Sequence, residues 1–230
     1  MQEIIWIEGE FMAKSQIIKD LANNNVTLDV ALSRLLLIAA DISNKELTVW
    51  AENELNGYSD SKDLPEYRIA KHTQFLYSGI NGRYSLTNAP LPLLSILKGA
   101  EPEMFYVPVL DGVRTIEKYA NNALGQEFGK DLTWAASLVY KFSGIQCYSI
   151  KQAVPINHFE NIINSLKTKL INILIEIEKA YGCLDELDIN TDEKNSDEIK
   201  EINATINNYI YVDKSVKIGD KNKIEESDIS

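Results

Sequence analysis

The sequence is poor in the residues that build metal centres and disulfide frameworks. Of its 230 residues, two are cysteine and two are histidine. Cys147 and Cys183 stand far apart and outside any CxxC or Cys/His ligand spacing, which favours two reduced thiols over a disulfide. His72 and His158 are equally isolated. The composition therefore argues against a structural zinc site and predicts no cofactor, although a carboxylate site for magnesium would leave less trace in a sequence.

Long apolar runs and a secretion signal are also missing. No stretch reaches the roughly 18 apolar residues that a membrane-spanning helix needs. The first residues, MQEIIWIEGEF, contain neither a basic n-region nor an apolar h-region. We therefore expect no membrane segment and a cytoplasmic location. Residues 1–14 are set apart as an N-terminal extension, with Met12 as an alternative start, because the helical pattern begins only at Ser15.

Positive charge is scarce, since 23 lysines and arginines face 34 acidic residues and the formal net charge is −11 at pH 7. Residues 185–201 alone hold eight acidic residues and two lysines. Non-specific nucleic-acid binding depends on cations that meet phosphates, so the sequence argues against that class of partner. It also contains no GxSxG, Walker loop, HExxH, GxGxxG or paired-carboxylate nuclease spacing, and no enzyme class follows from a motif.

Apolar residues make up 45% of the chain, enough for a genuine core. The most regular pattern lies near the C-terminal end, where apolar residues recur at steps of three and four: Phe159, Ile163, Leu166, Leu170, Ile173, Ile177 and Ala180. This spacing predicts a long helix that begins with Asn157 and Glu160 as caps and ends at Gly182. Because its apolar face is wider than a coiled-coil seam, we expect this helix to lie at the centre of the core.

Three shorter helices are predicted before it. They cover residues 15–24, a stretch that Thr27 caps, and a third stretch that Ser43 caps and Gly57 ends. Residues 72–88 predict an irregular β-hairpin with a turn at Asn81-Gly82. A later stretch predicts a helix at 132–142, with Trp134, Leu138 and Val139 as its inward side chains. Another predicts a strand at 147–154. The predicted fold class is therefore mainly α with small β excursions (α+β), a helical body around a long C-terminal core helix.

The character of the chain changes after Gly182. Residues 183–202 have the acidic, apolar-poor composition of a linker. Residues 203–230 alternate isoleucine and valine with turn residues, which predicts a short β-rich tail. One such unit cannot bury its own apolar face, so we expect self-association through residues 203–224. The alternative is that the tail is disordered or docks on the body of the protein. The body is the domain assigned to residues 15–182.

The third predicted helix places an acidic side chain among apolar ones. Leu47, Trp50, Glu54 and Tyr58 share one face at helical spacing, so Glu54 lies on the apolar stripe. Burial of an unpaired carboxylate costs several kcal/mol or forces it to protonate. The sequence therefore predicts a cationic partner, and Arg68 is the candidate.

Two interpretations of this cluster stay open. In the favoured one, Glu54 and Arg68 form a buried structural pair, and Tyr58 and Tyr67 lie at the edge of the core with hydroxyls in water. In the other, Glu54 is a catalytic carboxylate that Arg68 orients, and His72 acts as a general base. A solvent-open cleft that contains the pair would favour an enzyme, whereas a closed and fully paired site would favour an interaction protein.

Nine residues in two short runs carry a family resemblance: Trp50, Glu54, Leu55, Gly57, Tyr58, Leu64, Pro65, Tyr67 and Arg68. Their spacing resembles the signature of the AbiTii family of bacterial abortive-infection proteins. The resemblance covers residues 15–182 and includes the helix LSRLLLIAADI and the final INSLKTKLINILIEIEKAYG. The family's last helix is usually richer in arginine near its middle, where this chain has Lys167 and Lys169. This departure weakens any anion-binding role, because lysine does not reproduce an arginine fork.

The resemblance implies a component of bacterial anti-phage defence without a defined molecular activity. We expect it to act through interactions, with a phage or host protein as partner. One alternative is a nuclease or nucleotide-acting enzyme that uses Glu54, Arg68, Tyr67 and His72. The other is a structural adaptor that assembles through the tail.

Overall fold

The computed structural model describes residues 14–62, 64–123, 128–186, 189–191 and 194–211. Its α-helices are α1 (Gln16–Asn23), α2 (Leu28–Asp41), α3 (Lys45–Asn56), α4 (Leu93–Ile96), α5 (Val113–Ala120), α6 (Ala136–Ser143), α7 (Ile156–Tyr181) and α8 (Ser196–Tyr211). Its strands are β1 (Ile69–Ala70), β2 (Gln74–Asn81), β3 (Tyr84–Pro90), β4 (Val107–Pro108), β5 (Gly129–Asp131) and β6 (Gln146–Ala153). Short 3-10 turns cover Glu66–Arg68, Pro102–Phe105 and Thr133–Ala135. The α+β class, mainly helical with small antiparallel sheets, is confirmed.

The largest core is helical and joins distant parts of the chain. Leucine and isoleucine side chains of α1 and α2 pack against the apolar stripe of α7, and Ile206 and Ile210 of α8 close the same core. Leu35, Ile38 and Leu170 have no exposed surface. The three helices at the start of the described chain therefore share one core with the two at its end.

The four-stranded sheet is formed by residues that lie, in the sequence, between these two groups of helices. Its strand order is β3-β2-β6-β5, with all neighbours antiparallel. The predicted hairpin is present, but its two turn residues are Gly82 and Arg83, one position later than expected. A second core, around Tyr77 and Ile150, lies between this sheet and α6. A third, around Phe159, joins the start of α7 to β1, β4 and α5.

The predicted β-rich tail is wrong for residues 203–211, which belong to α8. The Asn195 side chain accepts hydrogen bonds from the Asp197 and Glu198 amides, and Glu198 accepts one from the Asn195 amide. This reciprocal capping box starts a helix inside the stretch expected to be a linker. Burial of Ile206 and Ile210 then holds the helix on the body. Residues 212–230 of the predicted tail lie outside the described residues.

Three local predictions are also corrected. The residue before α7 is Pro155, and no side chain caps that helix, so Asn157 does not have the expected role. Asn44 rather than Ser43 caps α3, where its side chain accepts from the Leu47 amide. Trp134 and Leu138 are exposed because Ala135 of the preceding 3-10 turn and Val139 of α6 are the side chains that pack into the second core.

Candidate functional site

Helix α3 delivers a carboxylate into the protein interior. Leu47, Trp50 and Ala51 bury its apolar face in the helical core, and Leu55 packs against the edge of that core. Glu54 lies on the same side of the helix and has no exposed surface. The predicted position of Glu54 on the apolar stripe is therefore confirmed.

The partner of Glu54 comes from the segment that follows α3. Leu64 is buried, and Pro65 leads into the 3-10 turn that ends with Arg68. The Arg68 Nη2 atom donates to Glu54 Oε2 at 2.5 Å, and Nε lies 3.1 Å from the same oxygen. Burial opposes the charge of Arg68, but the neighbouring Glu54 carboxylate outweighs it and raises the pKa of the guanidinium. The predicted pairing of the two residues is confirmed.

The two tyrosines complete the shell around the carboxylate. The hydroxyls of Tyr58 and Tyr67 donate to Glu54 Oε1 at 2.7 and 2.6 Å. Burial, and next the charge of Glu54, raise the pKa of both phenols well above the usual value, so both remain protonated donors. The expectation that these hydroxyls are wetted is wrong, because Glu54 offers buried lone pairs that need donors.

The remaining guanidinium donors of Arg68 tie the cluster to the loop before α5. The Nη1 atom donates to the carbonyls of Val109 and Asp111 at 3.2 and 2.7 Å. Gly57 makes this loop approach possible, since its φ is +97° and a Cβ there would lie 2.6 Å from the Leu110 carbonyl oxygen. A side chain at Gly57 would therefore push the loop away from Arg68.

This arrangement leaves little room for chemistry at Glu54. Both oxygens accept hydrogen bonds, and neither Glu54 nor Arg68 has exposed side-chain surface. A substrate could not reach the carboxylate without displacing Tyr58 or Tyr67. His72, the general base of the enzyme interpretation, is exposed and lines a neighbouring cleft instead. Glu54, Tyr58, Tyr67 and Arg68 thus form a closed hydrogen-bonded cluster, and Trp50 and Leu55 of the same signature lie in the adjacent core.

The neighbouring cleft has a volume of about 710 Å³ and lies between α7 and the segment from Glu66 to His72. Tyr67 separates it from the Glu54 cluster, because its hydroxyl binds Glu54 while the residue itself lines the cleft. The α7 wall is polar but uncharged over most of its length, with Asn157, Asn161, Asn164, Ser165, Thr168 and Asn172. Sequence reasoning missed this surface because it followed the apolar stripe of the helix.

A signal for the cleft was nevertheless present in the sequence. Asparagine and threonine are less favourable than alanine in a helix interior by up to about 0.7 kcal/mol each. A solvent-facing helix surface usually carries charged residues instead. A repeated run of uncharged polar residues on one face of α7 is therefore a feature that helix stability does not explain.

The end of α8 forms another wall of the cleft. Lys169 is buried, and its ammonium donates to the carbonyls of Tyr209 and Ile210 at 3.0 and 3.2 Å. The same group lies 5.4 Å from the centre of the Tyr67 ring. A cation at the carbonyl end of a helix is favourable, so Lys169 fastens α8 beside the cleft.

His158 is the other unusual group at the cleft. Burial lowers the pKa of its imidazole, although a hydrogen bond to the backbone of Arg68 acts in the opposite direction. Its Nε2 atom is buried and has no hydrogen-bond partner within the described part of the chain. A neutral imidazole with one nitrogen bonded to a carbonyl presents the other nitrogen as an acceptor.

The described ranges contain no group of three histidine, cysteine or acidic side chains placed to hold a metal ion. They also contain no helix long and apolar enough to cross a membrane.

Comparison with known proteins identifies the family. A family model described as AbiTii matches residues 14–203, which is most of the chain. Comparison with curated proteins gives no match, and comparison with solved structures gives none either. The matched range contains the nine signature residues, all of α7 and the first half of α8. The resemblance seen in the sequence is confirmed, and the chain belongs to the AbiTii family.

Proposed function

We propose that the protein acts in abortive-infection defence through protein interactions and that the Glu54–Arg68 cluster is structural. The AbiTii family suggests the role in defence. The single observation that supports the non-catalytic mode is the closed state of the cluster, in which Glu54 and Arg68 have no exposed side-chain surface. A catalytic carboxylate needs a position within hydrogen-bond reach of its substrate.

The enzyme alternative required Glu54, Arg68, Tyr67 and His72 to work together. The first three share one buried network, but His72 lies outside it on the cleft. Opening the network would leave a buried charge without its partner, which costs several kcal/mol. These observations favour an interaction protein with a phage or host protein as its partner, and a cytoplasmic location is part of this proposal.

Self-association remains a proposal in a narrower form. Ile206 and Ile210 are buried in the helical core, so they do not offer an apolar face to another copy. Of the segment 203–224, residues 212–224 are thus left to carry the contact between chains. The adaptor role depends on this contact.

The proposal is tested by phage challenge of cells that express variants of the full chain. We compare wild type with Tyr67→Phe and with the double variant Glu54→Leu/Arg68→Met. Glu52→Gln, an exposed position on the same helix, is the matched control. Protection and the folded fraction at the assay temperature are measured for each.

We expect Tyr67→Phe and the control to protect cells as well as wild type does. The double variant should lose protection only in proportion to any loss of folded protein. A fully folded Tyr67→Phe or double variant that gives no protection would overturn the proposal, because it would show that the buried groups themselves perform the activity.

A further inference from the structure

The cleft between α7 and the segment 66–72 has the size and lining of a small-molecule site. Its volume of about 710 Å³ lies within the usual range for ligand pockets. The carboxamides of Asn157, Asn161, Asn164 and Asn172 line one wall, and none of them makes a hydrogen bond to another described residue. Each carboxamide can donate and accept at once, which suits the edge of a heterocyclic base.

The charges at the cleft argue against a highly anionic ligand. Two lysines line it, but Lys71 pairs with Glu66, and Lys169 donates to the last carbonyls of α8. The protein as a whole carries a formal charge of −11. A ligand with several phosphates would be repelled by this negative charge. Both lysines already donate to other groups of the protein.

The buried Nε2 atom of His158 adds a specific requirement. His158 Nε2 is an acceptor without a partner among the described residues, so a ligand that fills the cleft should bring an N–H or O–H donor to it. Tyr67, Tyr209 and His72 line the other walls. Aromatic side chains favour flat ligands, on which they can stack.

We propose that this cleft binds an uncharged purine nucleoside, with the asparagine face of α7 on the base edge and His158 Nε2 accepting a ligand donor. The amide face distinguishes a base from an apolar ligand, and the committed lysines distinguish a nucleoside from its triphosphate. The cleft shares Tyr67 with the Glu54 cluster, but its occupancy does not depend on the proposed defence role.

The test is isothermal titration calorimetry of the full chain with adenosine, ATP and a disaccharide as probes. We expect adenosine to bind at one site per chain and ATP to bind at least about tenfold more weakly. The disaccharide, which has hydroxyls but no base, should not compete with adenosine.

Four variants assign the binding to the cleft. Asn161→Ala/Asn164→Ala and His158→Phe should each weaken adenosine binding about tenfold or more. His158→Gln restores an acceptor at the position of Nε2 and should bind more tightly than His158→Phe. Glu160→Ala, on an exposed side of α7 outside the cleft, should bind as wild type does.

Unfolding midpoints of all four variants show whether the protein is intact. The double asparagine variant changes exposed side chains, so it should stay folded even if a change at His158 does not. The proposal is overturned if adenosine fails to bind at millimolar concentration, or if it binds the double asparagine variant as tightly as wild type. Tighter binding of ATP or of the disaccharide than of adenosine would also overturn it.

Discussion

Glu54 and Arg68 are held by each other, so the loss of one changes the environment of the other. Glu54→Leu leaves a buried guanidinium uncompensated, and Arg68→Met leaves a buried carboxylate that keeps only its two tyrosine donors. Each single change should cost about 3 to 5 kcal/mol of unfolding free energy. The double variant should cost clearly less than the sum, as measured by urea unfolding. Strictly additive losses would contradict direct coupling.

A second carboxylate, Glu178, links the start of the described chain to the end of α7. It accepts hydrogen bonds from Lys14 Nζ at 2.7 Å and from the Ser15 amide and hydroxyl at 2.5 and 2.6 Å. Burial alone would raise the pKa of Glu178, but these donors outweigh it and hold that pKa below the usual 4.5. The folded state therefore stabilises the ionised form of Glu178 more than the unfolded state does.

This shift predicts a pH dependence of stability. Because the folded pKa is depressed, the contribution of Glu178 is fully present above pH 4.5 and is lost as the pH falls through the lower folded value. Glu178→Gln should thus be less stable than wild type at neutral pH, and the gap should shrink in acid. Thermal unfolding across this pH range measures the gap, with Glu160→Gln as an exposed control on the same helix. A gap that stays constant into strong acid would contradict the assignment.

The site could be predicted from the sequence only where a buried charge requires a partner of opposite charge. Glu54 on an apolar stripe needs a cation, and Arg68 follows within the same short signature, so the pair could be predicted. The bonds from Arg68 to the Val109 and Asp111 carbonyls could not, because they join positions about 40 residues apart. The cleft was missed since uncharged polar residues on a helix resemble an ordinary wet surface.

Among the helices and strands, prediction succeeded where the apolar spacing fits only a helix and failed where it also fits a strand. The apolar residues of α1, α2 and α3 recur at helical spacing, and the structure contains all three helices. In α8 the alternation of isoleucine with polar residues fits a strand nearly as well as a helix. The capping box at Asn195 and Glu198 decides between them, and so does burial against α7, which no local pattern reveals.

The attachment of α8 gives a prediction for a single helix. Lys169→Met removes the ammonium that binds the Tyr209 and Ile210 carbonyls. The loss should weaken the docking of α8 by about 1 to 3 kcal/mol, because buried carbonyls would lose a charged donor. Hydrogen exchange of the α8 amides should accelerate, while exchange in α2 should not change. Lys19→Met, at an exposed position of α1, is the control, and equal exchange in both variants would contradict this role of Lys169.

The proposed self-association is a property of the molecule as a whole. Light scattering should give a larger mass per particle for the full chain than for a chain that ends at Tyr211, because the proposed contact lies in residues 212–224. A truncation before α8 would be a poor comparison, since it removes Ile206 and Ile210 from the helical core. Monomeric masses for both chains would end the proposal of self-association.

The division of the helical core between the two ends of the chain has a consequence during synthesis. Helices α1, α2 and α3 leave the ribosome first, yet the apolar stripe they need belongs to α7, which begins at Ile156. At about 5 to 20 residues per second, roughly 100 intervening residues take about 5 to 20 seconds to make. During that delay Leu32, Leu35 and Ile38, which are fully covered in the finished protein, have no α7 to cover them. The sheet from β2 to β6 is complete by Ala153, so it can form while the first helices wait for their partner.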